Sequence, residues 1–315
     1  MSFSSEIKDE LIKIENMPEC CTHAMAYGMF LFGRSFTLSD VSLMTDNESV
    51  ANKYLELAER ACCLNAQLSV SKAGKYTVSF EGDKDREKVL SVFSCTGNER
   101  THRIDRGNLT NDAADNEENT GCCDAAFLRG VFLSCGTASD PNKSYHLEFV
   151  VPFKTLSLDL MKILNEYGIK AKHMVRRYVN VIYIKDSESI EDLLTLMGAH
   201  MASMEIMNIK IYKDVRNLTN RRNNFENANL SRTVFASFDQ VSAIEKLKIS
   251  GAFDSLPDDL KQVAVLRIDN PDASLREIGE LCTPKMSRSA VNHRLKKLIS
   301  ISENPVKEEE KADEE

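Results

Sequence analysis

The side chains best equipped for chemistry lie near the C-terminus. Between Lys285 and Lys297 the sequence KMSRSAVNHRLKK holds five Lys or Arg and no acid. Val291, Leu295 and Leu298 recur on one helical face behind Ser287, which leaves Arg288, Ser289, Asn292, His293 and Lys296 on the other side. Arginine pairs bidentately with guanine and asparagine with adenine, each worth about 1–3 kcal/mol of discrimination. Arg288, Ser289 and Asn292 are therefore assigned to base edges, and Lys285, Ser287, Arg294, Lys296 and Lys297 to phosphates. The competing reading is a small helical cap with a solvated basic face. A run of cations without acids behind a serine cap favours double-stranded DNA.

The thiols are the second chemical resource. Nine cysteines include the adjacent pairs Cys20/Cys21, Cys62/Cys63 and Cys122/Cys123, but no CxxC, so the spacings of zinc ribbons and thioredoxin-like motifs are missing. They read as reduced, mostly buried side chains, with no metal and no cofactor expected.

Three short helices must position the basic face. Asp258 can cap a helix carrying Leu260, Val263, Ala264 and Leu266, which Asn270-Pro271 breaks. Ser274, Leu275, Glu277 and Ile278 open the second, with Ser274 and Glu277 spaced as a capping box, and Thr283-Pro284 ends it. The turn before Ser287 completes a helix-turn-helix over residues 251–302.

Upstream, one stretch occurs twice. CCTHAMAYGMFLFGR (Cys20 to Arg34) and CCDAAFLRGVFLSCG (Cys122 to Gly136) align at an offset of 102 residues. Each is an apolar helix with a central glycine, Gly28 or Gly130. Interior glycine costs about 1 kcal/mol relative to alanine, so its presence in both copies predicts two backbones in close approach. Around each copy the periodicities read helix, two strands, helix, two strands, helix. The expected class is α+β: a duplicated αββαββα unit followed by an all-α helix-turn-helix domain. An opening helix with Phe3, Ile7 and Leu11 inward, capped by Ser4 or Ser5, is expected over the first repeat, and the first half ends near residue 95. Residues 96–121 read as a linker or mobile loop, 122–211 as the second half, and 212–250 as an Asn/Arg-rich helical connector. The connector reads as a solvated helix packed against the sheet, with a basic strut touching DNA as the rival. Residues 303–315 form an acidic, disordered tail.

Composition is consistent with this division. The chain of 315 residues is 42% hydrophobic and 28% charged, and its net charge of −8 hides a basic helix beside a tail of seven acids and two lysines. No apolar run approaches the roughly 18 residues of a membrane span, and the N-terminus lacks a basic-then-apolar leader, so a cytoplasmic, nucleoid-associated protein is expected. No small-molecule substrate is implied.

The glycine-centred helix pair resembles the LAGLIDADG homing endonucleases, in which an acid near the end of each helix holds the divalent metals that assist phosphodiester hydrolysis. Aligning the glycines places Gly33 and Cys135 at those positions, and neither offers the hard oxygen that Mg²⁺ requires. No catalytic residue is assigned; Asp40 and Asp140 are the nearest substitutes. Over nearly its whole length the chain is similar to the WhiA family of sporulation regulators. SFSSEIKDEL, FLRGVFL, SDPNKSYHLEFV, NRRNNFENANL, NPDASLREIGEL and SRSAVNHRLKKL carry the likeness. One departure follows the second cysteine pair, where the family carries basic residues and this chain has Asp124-Ala125. The resemblance implies a degenerate endonuclease fold joined to a helix-turn-helix. It further implies regulation of sporulation, cell division or chromosome segregation and, in some lineages, an iron–sulfur partner protein. The rival functions are a metal-dependent nuclease and an RNA-binding or architectural protein; an aromatic content of 7% weighs against single-strand recognition.

Overall fold

The computed structural model describes residues 2–98, 102–109 and 121–303, and the chain divides after Lys213 into two units. The acidic tail beyond Glu303 and most of the polar stretch between the repeats lie outside the described residues.

Helix α1 (Phe3–Ile12) buries Phe3, Ile7 and Leu11, as their spacing predicts. Its cap is Ser2, whose hydroxyl accepts from the Ser5 N–H at 3.2 Å, rather than Ser4 or Ser5. Ser4 instead accepts from the Ala138 N–H at 3.3 Å, so α1 lies over both halves and not over the first alone.

The first half runs α2 (Glu19–Leu31), β1 (Ser35–Phe36), β2 (Val41–Thr45), α3 (Glu48–Cys62), β3 (Gln67–Val70), β4 (Tyr76–Ser79) and α4 (Asp83–Val92). The second repeats it: α5 (Cys122–Cys135), β5 (Gly136–Ala138), β6 (Leu147–Val151), α6 (Lys154–Glu166), β7 (Lys172–Arg176), β8 (Val179–Ile184) and α7 (Ser187–Met197). Both sheets are antiparallel, with the same order, β1-β2-β4-β3 and β5-β6-β8-β7. Alternation along β2, β6 and β8 sends Val41, Leu43, Leu147, Phe149 and Ile182 into one core shared by the halves.

The two glycines hold that core together. A β-carbon on Gly28 would stand 2.4 Å from the Phe127 carbonyl oxygen, and one on Gly130 would stand 2.1 Å from that of Met25. Met25 and Phe127 are themselves 102 positions apart, so each glycine receives the equivalent carbonyl of the other helix across a pseudo-twofold axis. Only a residue without a β-carbon permits this approach.

The stretch read as a linker contains a docked segment. Asp105 N–H donates to the Tyr27 hydroxyl at 2.9 Å, and Arg103 forms a two-point bridge to Asp159, with Nε to Oδ2 at 2.6 Å. Arg106 pairs with Asp124 at 3.1 Å and also with Glu166. Asn108 and Leu109 are buried on the repeat helices, so residues 102–109 belong to the fold and not to a mobile loop.

Helix α8 (His200–Ile249) contains the unit boundary. Every residue from 214 to 236 is exposed, which corrects the expectation of a packed connector there, and the exposed set includes Leu218, Phe225 and Leu230. In the second unit Ile244 and Leu247 of α8 join Leu260, Val263, Ile278, Val291, Leu295 and Leu298 in a separate core. The end of the supposed connector is thus part of the helix-turn-helix, which comprises α9 (Asp258–Asp269), α10 (Leu275–Leu281) and α11 (Arg288–Glu303). Pro257, not Asp258, occupies the cap of α9. Among the described residues no helix is long and apolar enough to cross a membrane.

Candidate nucleic-acid interface

The second unit holds its basic helix by two local devices. At the start of α10 the Ser274 hydroxyl accepts from the Glu277 N–H at 3.3 Å, while the Glu277 carboxylate accepts from the Ser274 N–H at 2.7 Å. These bonds hold the Glu277 carboxyl below the usual carboxylate range and complete the capping box. Five residues after Ser274, Gly279 lets the turn close: a β-carbon there would stand 2.3 Å from the Met286 carbonyl oxygen, and Met286 N–H donates to the Gly279 carbonyl at 2.9 Å. The sequence reading passed over this glycine.

Ser287 then caps α11, its hydroxyl accepting from the Ala290 N–H at 3.3 Å. Burial of Val291, Leu295 and Leu298 turns Arg288, Ser289, His293, Lys296 and Lys297 outward, with Lys285 exposed in the preceding turn. Leu275 is half-buried and Ile278 fully buried, so α10 supports α11 from behind.

Arg294 departs from its assignment to phosphate. Its Nε donates to Asp259 Oδ2 at 3.0 Å and its Nη1 to the Ala290 carbonyl at 3.3 Å, which ties α11 to α9. A cation engaged by a carboxylate of its own domain is not free for a phosphate.

Asn292 is half-buried and, with Arg288, walls a cavity of about 510 Å³. Four arginines line it, Arg232 from α8, Arg267 from α9, Arg276 from α10 and Arg288 from α11, with no acid among the lining residues. Arg267 is 2% exposed, and burial lowers its guanidinium below the usual range. Its Nη1 donates to the Ala273 carbonyl at 2.7 Å, while its Nε has no hydrogen-bond partner among the described residues. Arg276 is shared with Glu280 at 3.2 Å on the exposed surface. A concave set of guanidiniums suits an oxyanion such as a phosphodiester. The sequence reading missed Arg267 and Arg276, whereas Arg232 lies in the Asn/Arg-rich connector whose rival reading was a basic strut touching DNA. Arg276 stood within the capping-box helix as a hint, but nothing local marks Arg267.

The degenerate acid positions sit in the first unit. Gly33 has no side chain, and a β-carbon on it would stand 2.7 Å from the Ser42 carbonyl oxygen. Burial pushes the Cys135 thiol up to about 12, and its Sγ donates to the Val131 carbonyl. Asp40 accepts from the Ser42 hydroxyl at 2.8 Å, and Asp140 accepts from the Asn142 N–H at 2.9 Å, so each closes its own turn.

The four cysteines that open the repeat helices converge: Cys20, Cys21, Cys122 and Cys123 place their sulfurs within 4.8 Å of one another. Burial first, and then contact with the neighbouring thiols, raises Cys21 and Cys123. The sequence put these pairs at equivalent positions of two helices expected to pack, but not the distance between their ends.

Comparison with known proteins agrees with this division. Residues 219–302 match the model of the WhiA C-terminal HTH domain, and residues 124–216 that of the WhiA LAGLIDADG-like domain. Over 314 aligned residues the chain is 36% identical to the "Probable cell division protein WhiA" of Ruminiclostridium cellulolyticum, covering 96% of this chain and 97% of that one. It is 33% identical to the protein of the same description from Alkaliphilus metalliredigens, covering 96% and 98%. Among solved structures it is similar to full-length DUF199/WhiA from Thermotoga maritima, with a TM-score of 0.58, 25% identity and coverage of 96% and 98%.

Proposed function

The chain belongs to the WhiA family, and from that premise we propose that it is a non-enzymatic, DNA-binding regulator acting in cell division. The observation that carries this is the outward face of α11, where Arg288, Ser289, His293, Lys296 and Lys297 stand exposed without an acid until Glu303. In a helix-turn-helix the start of the third helix enters the major groove. Arg288, Ser289 and Asn292 read base edges, while Lys285, Ser287, Lys296 and Lys297 hold phosphates. Arg232 extends the phosphate contacts around Arg288, while Arg276 and Arg294 are withdrawn from the set because Glu280 and Asp259 hold them, and Arg267 is buried on backbone carbonyls. The duplicated unit acts as a scaffold without cleavage, since Gly33 and Cys135 supply no oxygen for a metal. Binding to DNA places the protein at the nucleoid, and the name shared by the relatives supports the cell-division role.

The test is a duplex selected from genomic DNA by the full chain, followed by titration with variants. Arg288→Ala is expected to lose about 1–3 kcal/mol of preference for the selected site. Lys297→Ala is expected to weaken all duplexes alike and to flatten the salt dependence by about one unit of slope. If both variants bind every duplex as the parent does, the reading is wrong. Nicking of supercoiled DNA with Mg²⁺ that Asp40→Asn or Asp140→Asn abolishes would replace it with the nuclease reading.

A further inference from the structure

Cys20 and Cys21 lie in the first turn of α2, and Cys122 and Cys123 in the first turn of α5. Because Gly28 and Gly130 bring these helices into backbone contact, their N-terminal ends meet, and the two pairs face each other across the pseudo-twofold axis. All four Sγ atoms lie within 4.8 Å of one another, and those of Cys122 and Cys123 are 3.9 Å apart. A tetrahedral ion with metal–sulfur bonds of about 2.3 Å requires sulfur–sulfur edges of about 3.8 Å. The four thiols therefore already occupy the corners of a polyhedron close to that size. Iron–sulfur clusters spread their four cysteines over two or more irons and need a wider cage than this.

The surroundings suit negative charge. The sulfurs belong to the first turns of two helices, where the positive ends of the helix dipoles favour negative charge. Arg129, one helical stretch beyond Cys123, is 8% exposed and is the charged neighbour of Cys21. Its guanidinium donates to the Met197 carbonyl at 2.9 Å and contacts the Met17 sulfur at 2.9 Å, with no carboxylate among its partners in the described residues. A buried cation without an acid is costly unless an anion lies nearby. A tetrathiolate around a divalent ion provides one.

We propose that Cys20, Cys21, Cys122 and Cys123 bind one tetrahedral Zn²⁺, which staples the N-terminal ends of the two duplicated helices. Soft thiolates select zinc over the hard cations that a homing endonuclease uses. On binding, four S–H groups lose their protons to solvent and four Zn–S bonds form. The resulting centre is doubly negative and is balanced by Arg129 and the helix ends. No electron is transferred. The site differs in position and ligand chemistry from the degenerate acid positions, and it does not depend on the reading of α11.

The test uses the full chain purified under reducing conditions without a metal-binding tag. Elemental analysis is expected to find about one zinc per chain after gel filtration. Exchange with Co²⁺ is expected to give the visible bands of a tetrahedral cobalt tetrathiolate, and a strong chelator is expected to lower the melting temperature of the parent chain. Cys20→Ser/Cys123→Ser is expected to lose both the zinc and the cobalt spectrum. Cys62→Ser/Cys63→Ser, which alters the third cysteine pair, is expected to keep them. Failure of the parent chain to retain or take up zinc or cobalt overturns the proposal without recourse to any variant. So does acid-labile sulfide in the purified protein, a native disulfide within or between the pairs, or zinc that persists in the Cys20/Cys123 variant.

Discussion

Gly130→Ala separates two accounts of the repeat helices by the sign of its effect. If α5 were simply a helix, alanine would stabilise it by about 1 kcal/mol. In the fold the new β-carbon would stand 2.1 Å from the Met25 carbonyl oxygen and 2.9 Å from the Met29 nitrogen. Ordinary contact begins near 3.5 Å, so the two backbones must part by more than about 1 Å. Overpacking typically costs about 1–3 kcal/mol, and the upper end applies because neither clashing atom belongs to a side chain that can swing away. Subtracting the helix propensity leaves a loss of about 2 kcal/mol. For a unit of this size that lowers the melting temperature by about 4–8 °C. Calorimetry of the full chain reads the transition of the first unit. Gly28→Ala is expected to behave alike, because its β-carbon would stand 2.4 Å from the Phe127 carbonyl oxygen. A Gly130→Ala chain that melts at or above the parent temperature would refute the close-approach argument.

Two further predictions address the corrected residues. Arg294→Ala is expected to leave the salt dependence of duplex binding unchanged while costing the helix-turn-helix about 0.5–1 kcal/mol through the lost Asp259 pair, read by filter binding across salt and by thermal melting; a slope flattened as in Lys297→Ala would return Arg294 to the phosphate set. Burial pushes the Asp159 carboxyl up, but hydrogen bonds from Arg103 and the Ile104 N–H outweigh it and leave it below the usual range. The bond therefore stabilises above the unfolded value of about 3.9 and is lost as pH falls through the lower folded value. Asp159→Asn is accordingly expected to melt below the parent at neutral pH and to converge with it in acid, and a gap that ignores pH would count against the docking of residues 102–109.

The sequence by itself determined what repeats over short distances. Apolar residues at helical spacing placed α2, α5 and α11, and Ser274 with Glu277 marked the start of α10 within one residue. The recurrence of Cys-Cys and Gly at a fixed offset disclosed the duplication, and the lack of acids at Gly33 and Cys135 was legible once the glycines were aligned. Local periodicity reports which face of an element is buried, because that choice is made within a turn or two of chain.

Tertiary structure alone decided what those faces meet. Arg294 looked as available as Lys297 until α9 brought Asp259 beside it. Residues 102–109 looked like linker until Tyr27, Asp124 and Asp159 supplied partners from elements far along the chain. Arg267 lacked any local mark, yet it shares a cavity wall with Arg288. The two cysteine pairs read as separate buried thiols until the glycine contact drew the helix ends together. Composition and spacing carry no information about distances between segments that are remote in sequence; those distances follow from how complementary surfaces pack, and here two missing β-carbons determine the closest of them.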